Sequence, residues 1–275
     1  MDIYGVDFSG GKDPSGKIWI AHASLSSAGD FELKHLHLCD DRLDLFYEIV
    51  NSLPGALWGL DFPFAPSSHT YPLMGFQHWE QWLQFAAQSR RETFLHRLAD
   101  TFPMHEGPCK SHGLACRWTD LACQAASPLK QVQPNMRSMI YAGWKLLYYA
   151  RQMRVGVYPW DSFSITARSN PQRALLCEVY PSHTARLFMK SRSPELTPIF
   201  NFMQDCGLFR NISIPDSMLT PISQDAADAI VACITLSYIY RREQNIFWQL
   251  EAPSFASHEE WAERIQEGLI LRLSP

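Results

Sequence analysis

Asp7 closes an apolar run, "YGVD", and is followed at once by Phe8-Ser9-Gly10-Gly11-Lys12. Asp61 closes a second run, "ALWGLD", and Glu178 a third, "ALLCE". A carboxylate at the end of a buried strand costs several kcal/mol, roughly the penalty of an unpaired ion, unless a cation or hydrogen-bond donors compensate. In open α/β sheets ligands gather at the carboxyl ends of strands. Two further acids, Asp225 and Asp228, follow Ser223 at spacing i, i+3, which puts them on one face of a helix near its N-terminus, where negative charge is favoured. Asp225 alone also reads as an ordinary first-turn acid. Together Asp7, Asp61, Asp225 and Asp228 would form a hard oxygen-ligand set for Mg²⁺ or Mn²⁺, with Glu178 as a further ligand or a base behind it. Two such ions about 3.5–4 Å apart suit phosphodiester hydrolysis.

These acids need elements to hold them. Residues 2–8, 17–25 and 31–38 read as three strands, the latter two by alternation, with short Gly-, Ser- and Asp-rich links that suggest a meander. A helix is expected over 41–53, capped by Asp40 or Asp41, and a buried strand over 56–64. Residues 78–100 and 136–153 are helical in spacing, the first broken near Ser89, and an irregular stretch over 101–134 with Pro103, Pro108, Pro128 and Pro134 lies between them. Strands are expected at 155–160, 173–181 and in "GLILRL", and helices after Pro181, near 195–207, from Ser223 and from Ser257. The order is that of a layered α/β fold. It reads as one domain over 1–275 with a helical insertion at 68–154.

The chain has 275 residues, 46% of them hydrophobic and 19% charged, which suits a packed core. No apolar run approaches the ~20 residues of a membrane span, and no basic-then-apolar leader opens the chain. Seven cysteines without framework spacing suggest reduced thiols and a cytoplasmic protein. The net charge of −4 is uneven: residues 1–89 carry −7, 90–192 carry +9 and 193–275 carry −6. A basic middle suits a polyanion such as nucleic acid, or internal pairing with the acidic flanks. Within it, Arg117 and Lys130 read as phosphate grips with Trp118 free to stack, or Arg117 as the surface partner of Asp120. His183 reads as a group near the scissile phosphate or as a helix cap. His105, Cys109, His112, Cys116 and Cys123 are zinc-capable residues in no standard finger spacing.

"YGVDFSGG", "GLDFPFAPS", "CEVYPSHTARLF", "QDAADAIVACITL" and "EGLIL" occur in that order across nearly the whole chain. In this the chain resembles the DUF429 family, described as predicted nucleases of RNase H-like fold. Leu269 stands where that family often has Trp. The resemblance implies three antiparallel strands continued by parallel ones, helices on both sides, and metal ligation by Asp7, Asp61, Asp225 and Asp228, as in RNase H-like junction resolvases. It places Glu178 in the family's own pattern. Two other readings stand beside a metal-dependent nuclease: a non-catalytic nucleic-acid-binding scaffold, and an actin-like or sugar-kinase-like phosphotransferase. For the last, "DFSGGK" would be a phosphate loop with Lys12 as its grip, although no G-x-x-x-x-G-K-S/T motif is present.

Overall fold

The structure is a computed structural model that describes residues 1–102, 109–132, 135–163, 174–188, 196–221 and 223–273. Strand β1 (Asp2–Asp7) pairs antiparallel with β2 (Ile18–Leu25), which pairs antiparallel with β3 (Asp30–Cys39). On its other side β1 pairs parallel with β4 (Ala56–Leu60). Beyond β4 lie β5 (Gly156–Val157) and β6 (Ala174–Glu178), both parallel, and β7 (Asn211–Ser213) adds to the far edge of β3. The sheet order is β5-β6-β4-β1-β2-β3-β7. The expected meander continued by parallel strands is therefore present.

Every residue of β4 and of β6 is buried, which is why both read as unbroken apolar runs: parallel strands covered on two faces have no polar side. Period-two alternation sorts β4 between two cores, Trp58 and Leu60 to one face and Leu57 to the other. The first core is closed by α1 (Arg42–Asn51), α3 (Trp79–Gln88), α4 (Arg91–Thr101) and α6 (Met136–Gln152), with a one-turn α2 (Tyr71–Met74) ahead of them. Trp58, Trp79, Trp82 and Trp144 are all fully buried here.

The second core is closed by α7 (Pro181–Phe188), α8 (Thr197–Asp205), the one-turn α9 (Asp216–Leu219), α10 (Gln224–Glu243), the short α11 (Asn245–Gln249) and α12 (His258–Glu267). Thirteen residues of α10 are buried, which makes it the central helix of that layer. Of the expected caps, Asp41 rather than Asp40 accepts from Leu43 N–H and Asp44 N–H, and Ser223 accepts from Ala226 N–H; Ser257 also caps its helix, accepting from Glu260 N–H.

Several expectations change. The strand at 56–64 stops at Leu60, and the one at 155–160 shrinks to Gly156–Val157. "GLILRL" is not a strand; it contributes a single bridge, Leu271 with Val179. The irregular stretch holds a short helix, α5 (Trp118–Cys123). Pro103, His105, Pro108 and Pro134 lie outside the described residues. Two of the seven cysteines are not free thiols, because Cys109 and Cys116 form a disulfide. Among the described residues no helix is long and apolar enough to cross a membrane.

Candidate active site

The site is built by register. Val6 lies opposite Leu60, and Leu60 opposite Glu178. One residue further the ladder continues, with Asp61 N–H donating to the Val6 carbonyl at 3.1 Å and Val179 N–H to the Leu60 carbonyl at 3.1 Å. Asp7 and Asp61 are therefore level neighbours on adjacent parallel strands. They project to the same face as Ile3 and Leu57, toward α10.

Helix α10 runs antiparallel to β1 and almost touches it. A Cβ on Gly5 would stand 2.2 Å from the Ala229 carbonyl oxygen and 2.2 Å from Cys233 N, so only glycine permits this approach. Cys233 Sγ contacts the Ile3 carbonyl oxygen at 3.4 Å. With residues 229–233 set over residues 3–5, the N-terminal turn of the helix falls at the end of β1. That alignment brings Asp225 and Asp228 to Asp7.

The electrostatics record this convergence. Burial, then the nearby Asp225 and Asp228, raise the Asp7 pKa from 3.8 to about 8. Burial, then Asp7, Asp228 and Glu178, push Asp61 well above the ordinary carboxylate range. Both effects disfavour the charged form. Asp228 is partly buried and accepts from Gln224 Nε2 at 2.9 Å, whereas Asp225 is exposed in the first turn. Among the described residues no group of three or more His, Cys, Asp or Glu side chains is gathered closely enough to hold a metal ion. The chemistry of the four aspartates is that of a hard divalent cation site: the donors are all oxygen and come from three elements, and a cation would offset the burial and the mutual repulsion that raise Asp7 and Asp61.

Glu178 is placed differently from its expected role as a further ligand or base. It sits one residue short of the Asp7–Asp61 level, so its side chain leaves the opposite face of the sheet. There Oε1 accepts from Arg117 Nη2 at 2.6 Å, and Oε2 accepts from Arg117 Nη1 at 2.8 Å and Phe64 N–H at 2.9 Å. Most of its acceptor capacity is used.

Arg117 is likewise neither a surface residue nor a free phosphate grip, since it is fully buried. Its Nε and Nη2 reach Asp120 at 2.6–3.1 Å, and Nη1 also donates to the Glu267 carbonyl at 3.1 Å. Burial alone would lower its pKa, but the Asp120 and Glu178 carboxylates outweigh burial and raise it well above the ordinary guanidinium value. The Glu267 carboxylate accepts from Ser67 and Ser68 hydroxyls, from Ser68 and Trp118 N–H, and pairs with His112 Nε2 at 2.9 Å. Glu267 was not singled out from the sequence. Its presence in "EGLIL" was the available signal, and its role depends on partners some 150 and 200 positions away.

Behind Asp61 opens a cavity of about 390 Å³. Asp61, Lys130, Tyr180, Ser182, Met136 and Met139 line it, and Arg117, Asp120 and Glu178 form its back wall. Lys130 lines this cavity together with Asp61. Lys12 is exposed on the loop after β1 and does not line the cavity. His183 lies within the first turn of α7 rather than capping it, and hydrogen-bonds the backbone at Cys123 and Leu273. Trp118 is not free to stack, because His112 covers it at 4.4 Å. The disulfide removes Cys109 and Cys116 from any zinc set, and His105 lies outside the described residues.

The chain bends at Gly11 and Lys12, and neither Gly10 nor Gly11 has a positive φ. Gly10 is small because the loop lies on α6: a Cβ there would stand 2.3 Å from Met139 Cα. Arg91 Nη2 donates to the Gly10 carbonyl at 2.8 Å, Arg42 Nε to the Ser9 carbonyl at 3.0 Å, and Arg42 Nη2 to the Gly11 carbonyl.

No family model matches this chain, and comparison with curated proteins and with solved structures finds no match either.

Proposed function

We propose that this chain is a metal-dependent nuclease of RNase H-like type, hydrolysing phosphodiester bonds of nucleic acid. The observation that carries the reading is the meeting of Asp7, Asp61, Asp225 and Asp228 at one sheet edge, with Asp7 and Asp61 holding protons far above the ordinary carboxylate range. The meander continued by parallel strands agrees with the resemblance to DUF429 proteins.

In this reading the four aspartates hold Mg²⁺ or Mn²⁺. Such an ion, when bound, supplies a water-derived nucleophile at neutral pH and stabilises the leaving oxygen. Lys130 lines the same cavity as Asp61 and would hold a phosphate oxygen of the substrate. Arg117, Glu178 and Asp120 hold the back wall, and Glu267 ties the residues near Ser68 and the start of α5 to the end of α12. Their part is positioning. A cytoplasmic location goes with the reading.

The test is cleavage of labelled single- and double-stranded DNA and RNA with Mg²⁺ or Mn²⁺, beside Asp7→Asn and Asp61→Asn. Cleavage by the wild type that is lost in both variants is expected. Binding without cleavage under either metal would point to a scaffold, and nucleotide turnover without cleavage to a phosphotransferase.

A further inference from the structure

A second cavity, of about 660 Å³, lies between α1 and α6. Arg42, Phe46, Tyr141, Lys145, Tyr149 and Met153 line it, with two cations and no acid among all its lining residues. Leu43, Tyr149 and Met153 are 56%, 46% and 41% exposed there, so a row of apolar surface faces solvent. Tyr141, Lys145, Tyr149 and Met153 are four residues apart and form one stripe along α6, roughly 18 Å long at ~1.5 Å per residue. Arg91 and Lys145 stand over the Tyr141 ring at 5.7 and 5.4 Å.

The groove is joined to the acid site. Arg42, at its end, holds the Ser9 and Gly11 carbonyls of the loop that follows Asp7. The same loop rests on Met139, which lines the cavity beside Asp61.

We infer that this groove carries a single-stranded nucleic-acid segment to or from the acid site, its bases against Tyr149 and Phe46 and its phosphates near Lys145 and Arg42. The inference rests on the nuclease reading for its class of ligand. Tyr149 is exposed while Phe46 and Tyr141 are half-buried, and aromatic rings set beside cations are the pattern that binds single strands with little sequence preference. A duplex keeps its bases stacked inside and offers nothing to these rings. A second protein or an amphiphile would use the apolar surface, but neither explains the continuity of the groove with the Asp7 loop.

The experiment is fluorescence anisotropy in EDTA with a labelled ~12-nucleotide single strand, a size typical of such sites, and its blunt duplex. Wild type is compared with Tyr149→Ala, Tyr149→Phe and Lys145→Ala, and folding is checked by urea denaturation. Wild type should prefer the single strand. Tyr149→Ala and Lys145→Ala should each weaken it about tenfold, and Tyr149→Phe should restore binding. Lys145→Ala should also flatten the salt dependence by about 0.7 in log–log slope.

Unchanged affinity in folded variants, equal affinity for the duplex, or no binding overturns the inference. So does fatty-acid binding that Tyr149→Ala abolishes while oligonucleotide affinity stays the same. Cleavage with Mn²⁺, measured alongside, separates the two claims. Metal-dependent cleavage with groove variants that bind normally removes the groove and keeps the nuclease. Groove-dependent binding without cleavage removes the nuclease and keeps the groove.

Discussion

Asp7 shows what a strand-end carboxylate does before a cation reaches it. In the unfolded chain it ionises near 3.8, and in the folded metal-free protein near 8. Between those values the folded state binds more protons than the unfolded one, so this group makes stability fall as pH rises from 3.8 to about 8. Asp7→Asn should remove that slope. Urea midpoints in EDTA should show the variant more stable than wild type by about 1–3 kcal/mol at pH 8, less than the full shift because the side chain is partly exposed, and little different at pH 4. Equal pH dependence in the two proteins would contradict the placement of Asp7. Arg117 is the opposite case, a cation whose removal leaves Asp120 and Glu178 buried and uncompensated. Arg117→Met should cost about 3–5 kcal/mol in urea denaturation. A loss near zero would mean that the buried cluster is not formed.

At the scale of elements, the site is a consequence of helix α10 lying against β1. Gly5→Ala would drive a Cβ into the Ala229 carbonyl and the Cys233 amide, both backbone and neither able to rotate away. The variant should lose about 3 kcal/mol or more, beyond the usual cost of overpacking, and should bind Mn²⁺ more weakly although no ligand is changed. Titration of Mn²⁺ into Gly5→Ala beside wild type checks this. The acids that follow apolar strands and two helix caps were legible in the sequence because they depend on neighbours a few residues away: the apolar runs before Asp7 and Asp61, and the side-chain oxygens of Asp41 and Ser223. What was not legible depends on register between distant strands. Glu178 looks like Asp61 in sequence, yet a one-residue offset in the ladder turns it to the other face. Arg117 and Asp120 looked like a surface pair because nothing local shows that Glu178 and Glu267 close over them. The need for glycine at position 10 was not legible either, since it comes from the backbone of α6, more than 120 residues later.

For the whole molecule, the charge split of the sequence resolves into two populations. Part of the basic middle is internal: Arg117 and Arg137 are buried, and Arg151 pairs with Glu80 at 3.2 Å. Lys130 and Lys145 of the same segment, and Arg42 of the acidic N-terminal segment, instead line the two cavities. Nucleic-acid affinity should therefore fall with salt, at a log–log slope of about −1 to −3 for a few phosphate contacts rather than the larger value that the +9 of residues 90–192 would suggest. Binding isotherms over a salt series measure it, and a slope near zero would remove the polyanion from the account. The central claim is that four aspartates from β1, the end of β4 and α10 act together on one divalent cation site. Its most direct test is calorimetric titration of Mn²⁺ into wild type and Asp61→Asn at pH 7, in buffers of different ionisation heat. Asp7, raised to about 8, still holds most of its proton at that pH, and Asp61 is raised in the same direction, so wild type should bind Mn²⁺ with proton release, and more tightly as pH rises toward 8. Asp61→Asn should lose most of that affinity. Equal binding in the two proteins, or wild-type binding without proton release, would contradict the shared site.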